Sequence, residues 1–367
     1  MDVTESAHAA RVSAYAAVGA RLSLFSDRRL EDAVAAAPSL GSGIGGRSAE
    51  MEVEGIRVFV KRVPLTDIEL QPEHVRSTEN VFELPLFYQY GVGSAGFGAW
   101  RELAAHIMTT GWALKNEYAG FPLLYHWRVL PDSPPAGFVD GLGGVEGAVA
   151  HWEGSPAVRR RLEAIGRSSF SLVLFLEHVP QTLAAWLDDL RDAALPEPGG
   201  ESPCRWVEKE LLRGTAFMSA RGLVHFDTHF ANLLTDGRRV YFADFGLALS
   251  RDFELSAEEC DFLADHLVYD RSYAPNHLLR HHLLRHHLPA DVRGGTEHGA
   301  FLRGWVDGHR PADVPPDIGA IIDRHAPHAI VLDDFHHRLL TRSKRTPFPA
   351  AEVRRALAGA GERPART

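Results

Sequence analysis

The most informative segment of the chain is Gly222-Leu-Val-His225-Phe-Asp227-Thr-His-Phe-Ala-Asn232, which is followed after a short hairpin by Asp244-Phe-Gly246. Asp227, Asn232 and Asp244 therefore lie within one short run of strand and loop. Phosphoryl transfer from ATP requires a carboxylate that orients an attacking hydroxyl, and oxygen ligands that hold magnesium against the phosphates. His-x-Asp-x-x-x-x-Asn followed by Asp-Phe-Gly supplies both kinds of group, so the stretch predicts phosphoryl transfer.

These two motifs resemble the catalytic loop and the metal-binding loop of the protein-kinase-like superfamily, which includes protein kinases and the aminoglycoside and choline kinases. The resemblance implies that Asp227 is the catalytic base, that His225 supports the loop, and that Asn232 and Asp244 bind Mg²⁺. It also implies an α+β, bilobal protein-kinase-like fold with a small β-rich N-lobe and a larger helical C-lobe. The alternative is that Asp227 and Asp244 are ordinary loop carboxylates.

A glycine-rich run, Leu40-Gly-Ser-Gly-Ile-Gly-Gly46, fits the pattern Gly-x-Gly-x-x-Gly. Glycines let backbone amides approach phosphates without a side-chain clash. We therefore predict that ATP is contacted by Gly41, Ser42, Gly43 and Gly46. The alternative is a simple turn of common composition.

The next segment, Arg57-Val-Phe-Val-Lys61-Arg-Val63, reads as a β-strand after a turn at Gly55. It resembles the kinase Val-Ala-Ile-Lys strand, which implies that Lys61 contacts the α- and β-phosphates of ATP. That lysine needs a carboxylate to aim it. The best candidate is Glu102, beside the apolar stripe of a helix predicted over 97–107, and the competing residues are Glu79, Glu83 and Glu117.

An apolar run over 171–176 predicts a buried strand that leads into Glu177-His-Val179. In a kinase-like fold this position is the hinge, so the resemblance implies that the backbone of Glu177 and Val179 binds the adenine edge. Thr182 is placed to cap the following helix.

Three departures from the protein-kinase pattern bear on regulation and substrate. Phe226 replaces the arginine that contacts a phosphorylated activation segment in many protein kinases. His229 stands two residues after Asp227, a position at which it resembles the histidine of the small-molecule kinases. Ser256 with Glu259 is a capping-box signature for a helix soon after Gly246, which leaves little room for an activation segment. We therefore expect a site that needs no activating phosphate.

The whole chain has 367 residues, a net charge of −9 and 45% hydrophobic residues, which predicts a globular protein large enough for two lobes. The charge argues against a nucleic-acid surface, although a local basic patch at 159–161 stays open. Two cysteines, no secretory signal and no membrane-length apolar segment predict a cytoplasmic protein without a membrane partner.

Four regions follow from composition and pattern. We predict a helical extension over 1–38, a nucleotide-binding N-lobe over 39–177, a helical C-lobe over 178–350 and a charged, fraying tail over 351–367. The N-lobe contains an insertion, Leu65 to Gly98, whose aromatic residues predict that it packs. A histidine-rich run over 281–287 is interpreted as leucine core flanked by exposed histidines, with a metal site as the alternative.

The predicted function is ATP- and Mg²⁺-dependent phosphorylation of a hydroxyl on a protein, a peptide or a small molecule. Two alternatives remain open at this point. One is AMP transfer by the same fold, and the other is a nucleotide-binding pseudokinase that acts as a scaffold.

Overall fold

The structure is a computed structural model. It describes residues 3–91, 93–192, 202–283, 295–312 and 314–361, and the part of the histidine-rich run beyond residue 283 lies outside them. The fold is mixed α+β. Within the described residues no helix has both the length and the apolar character that crossing a membrane requires.

The helices are, in chain order, α1 (Val3–Ser23), α2 (Asp27–Ala36), α3 (Ala99–Leu114), α4 (Gly144–His151), α5 (Pro156–Ile165), α6 (Leu183–Asp192), α7 (Pro203–Ala220), α8 (Ala257–His266), α9 (Tyr269–Leu278), α10 (Gly295–Val306), α11 (Pro316–Thr341) and α12 (Ala350–Gly361). The strands are β1 (Ser39–Gly43), β2 (Gly46–Val53), β3 (Ile56–Leu65), β4 (Leu124–Pro131), β5 (Phe170–Glu177), β6 (Gln181–Thr182), β7 (Leu223–Val224), β8 (Leu233–Thr235), β9 (Val240–Phe242) and β10 (Leu249–Ser250).

The chain divides into two compact units, Met1–Pro180 with Ala243–Cys260, and Gln181–Phe242 with Asp261–Thr367. This differs from the four regions expected from the sequence in two ways. Residues 243–260 belong to the first unit because they pack there through buried side chains such as Phe245. Residues 351–361 form helix α12 with Val353 fully buried, so the expectation of a frayed tail is wrong for them.

The first unit is built on a five-stranded antiparallel sheet with the order β1-β2-β3-β5-β4. Successive side chains of a strand point to opposite faces. Val58 and Val60 of β3 therefore join the core that α1 covers with Val18 and α2 covers with Leu30. Leu65 of β3 joins the core on the other face, which α3 covers with Trp100 and Leu103. Lys61 shares this second face, and this parity directs it towards α3.

The insertion over 65–98 packs as predicted, with Phe82, Leu84 and Tyr88 buried. The structure bears on the local basic patch at 159–161, which the sequence analysis left open. Arg161 is buried and paired with Glu69, so the three arginines do not form an exposed basic patch.

The second unit is mainly helical. Its longest helix, α11, packs against α7, α9, α10 and α12 and carries an apolar stripe that includes Ile322, Ala329 and Phe335. A small antiparallel sheet, β6-β8-β9, lies in the same unit. Leu279 and Leu283 of the histidine-rich region are buried and His281 is exposed, as the core interpretation predicts.

Candidate active site

The first group of predicted residues is the lysine cluster, which we define as Lys61, Glu102 and Asp244. Lys61 Nζ lies 2.7 Å from Glu102 Oε1 and 2.8 Å from Asp244 Oδ1. The side chains of Lys61 and Glu102 are only 10% and 3% exposed. The predicted pairing of Lys61 with Glu102 is therefore present. The competing residues are all exposed: Glu79, Glu83 and Glu117.

The electrostatics of the lysine cluster follow from burial and from its unequal charges. Burial alone lowers the pKa of Lys61, but the carboxylates of Asp244 and Glu102 outweigh it and the pKa is raised. Burial raises the pKa of Glu102 to about 7, although Lys61 acts in the opposite direction. One ammonium is thus shared by two carboxyl groups, and ionising both leaves excess negative charge. Such a cluster favours the approach of an additional cation.

Asp244 owes its position to its neighbours in the chain. Phe245 is fully buried, with its ring edge-on to His106 at 5.1 Å between centroids and tilted against Phe121. Asp244 has a φ of 62°, which is uncommon for a residue other than glycine. Its Oδ1 also accepts a hydrogen bond from the amide of Gly246 at 3.3 Å. The buried phenylalanine therefore anchors the loop while the strained aspartate turns its carboxylate to Lys61.

The glycine-rich run forms the end of the β1–β2 hairpin and not an open loop. Gly41, Ser42 and Gly43 lie in β1, and Gly43 pairs with Gly46 across the turn. A Cβ atom built on Gly45 would lie 3.7 Å from Lys61 Nζ, so the turn passes directly over the amine. The structure therefore brings this run to Lys61, as a phosphate-binding role requires, and the role itself stays a prediction.

Glu177 ends β5 and has side-chain contacts that sequence reasoning missed. Its carboxylate accepts hydrogen bonds from Arg11 of α1 at 2.8 and 2.6 Å and from the amide of Leu123 at 3.1 Å. Val179 is buried. Arg11 lies 166 residues from Glu177, and no local pattern signals a pairing at such a distance.

The second group, which we call the Asp227 loop, comprises residues 225–232 in the second unit. Asn232 Nδ2 donates to Asp227 Oδ2 at 2.9 Å and to the Asp227 carbonyl at 3.1 Å. His229 Nε2 lies 3.5 Å from Asp227 Oδ1. The fully buried His225 accepts a hydrogen bond at Nδ1 from the amide of Asp227 at 3.3 Å. The loop thus orients the Asp227 carboxylate and leaves it 28% exposed.

Asp270 of α9 is a further residue of this site that sequence reasoning missed. It accepts hydrogen bonds from the backbone amides of His225 at 2.6 Å and Phe226 at 3.1 Å. Complete burial raises the pKa of Asp270 to about 6, against the opposing effects of His225 and the two amide bonds. Its sequence surroundings resemble those of any helical aspartate, so only the fold identifies it.

The backbone conformation of Phe226 accounts for the position of the two amides that bond to Asp270. Its φ of 64° lies in the left-handed region, where a bulky residue is an outlier. The ring is 1% exposed and packs against Phe262, His266 and Tyr269. Burial of the ring and the two bonds to Asp270 together stabilise a conformation that a free chain avoids.

Asp244 of the first unit and Asn232 of the second each offer an oxygen of the kind that Mg²⁺ takes in nucleotide sites. Among the described residues no group of three or more His, Cys, Asp or Glu side chains is arranged as a metal site. Mg²⁺ in nucleotide sites usually takes only one or two carboxylates together with substrate phosphates and water. Asp244 is 41% exposed, and the amide nitrogen of Asn232 points to Asp227, which leaves its oxygen for a cation.

Comparison with models of known protein families gives no match, and comparison with the curated proteins gives none either.

Proposed function

We propose that the chain is an ATP- and Mg²⁺-dependent phosphotransferase that phosphorylates a hydroxyl group. One observation carries the proposal: a buried lysine on the central strand is held between a helical glutamate and the aspartate of Asp-Phe-Gly, at 2.7 and 2.8 Å. We also propose that the fold is protein-kinase-like and bilobal. The first unit, which carries the five-stranded sheet, then corresponds to the N-lobe and the mainly helical second unit to the C-lobe. The expected sizes need correction, because the first unit contains more residues than the second.

In this proposal Lys61 binds the α- and β-phosphates, and the turn at Gly45 supplies backbone amides to the phosphates. Asp244 and Asn232 would be the ligands of Mg²⁺, which would neutralise negative charge on the phosphates. Glu102 keeps Lys61 in place by pairing with it. The backbone of Glu177 and Val179 binds the adenine edge.

Asp227 orients the acceptor hydroxyl and receives its proton. The hydroxyl oxygen forms a bond to the γ-phosphorus while the bond between that phosphorus and the bridging oxygen of ADP breaks. The 28% exposure of the Asp227 side chain gives the acceptor access to the carboxylate. Asn232 and His225 support this orientation through the bonds that they make to Asp227.

The acceptor is a protein, a peptide or a small molecule. The net charge of −9 and the burial of Arg161 both count against nucleic acid as a partner. We expect no membrane partner and a cytoplasmic location.

A melting experiment tests the nucleotide site. A ligand at a hundred times its Kd stabilises a fold by about 2.7 kcal/mol. Mg-ATP should therefore raise the Tm by about a few degrees, and ATP with a chelator should raise it much less. Asp244→Asn should lose the Mg²⁺-dependent part of the shift. Asp252→Asn, a change at a 59% exposed carboxylate in the same segment, is the matched control and should keep it.

Labelled ATP separates the proposal from its alternatives. Label from the γ-phosphate should pass to an acceptor in a protein or metabolite fraction of cell extract. Transfer of label from the α-phosphate instead would show AMP transfer. Nucleotide binding without any transfer would show a pseudokinase, and no Tm shift at millimolar Mg-ATP would overturn the nucleotide site itself.

A further inference from the structure

The insertion over 65–98 holds the start of α3, the helix that carries Glu102. The buried Glu69 accepts a hydrogen bond at Oε1 from the amide of Ala99 at 2.8 Å, and its backbone carbonyl accepts one from Trp100 Nε1 at 2.9 Å. Arg161 Nη1 lies 2.7 Å from Glu69 Oε2. A carboxylate at a helix N-terminus satisfies free amides and complements the helix dipole. The first turn of α3, which contains Glu102, is therefore fixed by the insertion.

The same insertion contacts the loop that carries Asp244. The side-chain amide of Gln89, itself 2% exposed, donates to the carbonyl of Leu247. Gly96 has a φ of +70°, and a Cβ atom built on it would overlap the carbonyl oxygen of Gly246. The insertion thus lies in direct contact with the backbone of Gly246 and Leu247.

A third connection joins α3 to the end of the 243–260 segment. Arg101, the neighbour of Glu102, has Nη2 2.6 Å from Glu259 Oε1, and its Nε donates to the carbonyl of Thr78 in the insertion at 2.6 Å. Arg101 and Glu259 are both about 2% exposed. Glu259 also accepts the amide of Ser256 in the predicted capping box. Breaking a buried ion pair of this kind is strongly unfavourable.

We propose that the insertion is a built-in positioning segment that holds both carboxylates of the lysine cluster on Lys61 without any phosphorylation. The insertion contacts both the helix that carries Glu102 and the loop that carries Asp244. Neither carboxylate can therefore move away from Lys61 while the insertion stays in place. The positioning residues are Gln89 and Gly96 of the insertion, together with Arg101 of α3, which bonds to the insertion at Thr78. This proposal rests on the proposed function for its kinetic consequences, but the contacts can be tested without nucleotide.

Gly96→Ala against Gly154→Ala is the sharpest test. Both glycines have nearly the same φ, +70° and +72°, so alanine strains the backbone equally at the two positions. Only the Cβ at position 96 meets another atom, because nothing lies within 4 Å of the one at position 154. Overpacking displaces neighbouring backbone. We expect amide hydrogen exchange over 243–250 to become about tenfold faster in Gly96→Ala, equivalent to about 1.4 kcal/mol, and to stay unchanged in Gly154→Ala.

A second pair keeps the test decisive if Gly96→Ala does not fold. Gln89→Leu removes the donor to Leu247, and Gln71→Leu makes the same change at an exposed position of the insertion. Faster exchange over 243–250 is expected only for Gln89→Leu. In turnover assays Gln89→Leu should raise the KM for Mg-ATP more than it lowers kcat, because phosphate binding depends on the position of the lysine cluster.

The outcomes are separable. Unchanged exchange over 243–250 in both Gly96→Ala and Gln89→Leu, with a lower Tm alone, would overturn the positioning role and leave the insertion merely structural. An inert wild type that shows no response to Mg-ATP would overturn the proposed function, whereas the exchange results would still decide on the positioning segment.

Discussion

The lysine cluster and the Asp227 loop hold their charged groups in opposite ways. Lys61 and Glu102 are buried and joined to each other, with side chains 10% and 3% exposed. Asp227 is 28% exposed, and its carboxylate contacts the neutral amide of Asn232 and lies near His229. The first arrangement suits a cation that must be fixed before a phosphate arrives. The second suits a carboxylate that must be reached by an acceptor from solvent.

The two regions nevertheless share one structural feature, a strained backbone held by a buried ring. Each contains a residue other than glycine with a left-handed φ, Asp244 at 62° and Phe226 at 64°. In each, a buried phenylalanine ring, that of Phe245 or of Phe226 itself, anchors the strained backbone. Strain of this kind persists only where surrounding packing outweighs it, and it is concentrated at functional sites.

The largest effect is expected from a substitution that changes the Asp227 loop alone. Asp227→Asn should reduce phosphoryl transfer by about 10²- to 10⁴-fold, the usual range of general-base contributions. Its Tm shift with Mg-ATP should survive, because other groups hold the nucleotide. Asp261→Asn, at an exposed aspartate of the same unit, is the control in steady-state assays. Full transfer by Asp227→Asn would refute the assignment of the base.

Asp270→Asn should have the next largest effect, through the backbone of the Asp227 loop. Asparagine keeps one acceptor oxygen, but its NH₂ group replaces the second and faces a backbone amide that bonds to Asp270 in the wild type. That amide loses its acceptor, and an unsatisfied buried donor costs about 1–3 kcal/mol. We expect kcat to fall by about 10-fold or more per folded molecule. Asp333→Asn, at a carboxylate that is 12% exposed and accepts a hydrogen bond from Asn276 in the same unit, should lower the Tm without this loss. Equal kcat losses in both variants would show a general folding effect.

Glu102→Gln should have a smaller effect on transfer, because Asp244 still contacts Lys61 at 2.8 Å. It should have a clear effect on stability against pH. The folded pKa of Glu102 is about 7, above its ordinary value of 4.5, so the folded state retains a proton between these values. This group therefore makes the free energy of unfolding fall as pH rises from 4.5 to 7, by at most about 1.4 kcal/mol per pH unit.

Urea unfolding of wild type and Glu102→Gln across this pH range measures the difference. The free energy of unfolding of the variant should lack this decline, so its stability relative to wild type should increase with pH. Parallel pH profiles for the two proteins would contradict the raised pKa of Glu102.

The last prediction is that removing phosphate from the protein has no effect on its turnover. In the proposed kinase-like fold Phe226 stands where many protein kinases have an arginine that contacts an activating phosphate, and a phenyl ring cannot form the bidentate contact that guanidinium makes. Protein treated with phosphatase should therefore match untreated protein in turnover. A large gain on phosphorylation over 247–256 would contradict both this prediction and the positioning role of the insertion.

Local pattern was sufficient for much of the first unit. Alternation predicted the strand that carries Lys61, and the helical stripe placed Glu102 on the helix that pairs with it. The capping box of Ser256 and Glu259 is present, with bonds of 3.0 and 3.2 Å in the two directions. The strand, the helix and the capping box each depend on residues within about one helical turn or one strand of each other, where spacing alone determines the pattern. The ion pair between Lys61 and Glu102 joins two different elements, and it was expected only from the resemblance to kinases.

Three features can be read from the order of residues alone: the residue types in the motifs, the strand parity of Lys61 and the capping of α8. Three others become visible only in the folded chain: the bonds of Asp270 to the Asp227 loop, the pairing of Arg11 with Glu177, and the contacts of the insertion with both α3 and the Asp244 loop. The structure also shows that Arg161, which the sequence left open as part of an exposed basic patch, is the buried partner of Glu69. Such contacts join residues tens to more than a hundred positions apart, and their formation depends on how the packed elements meet and not on any local periodicity.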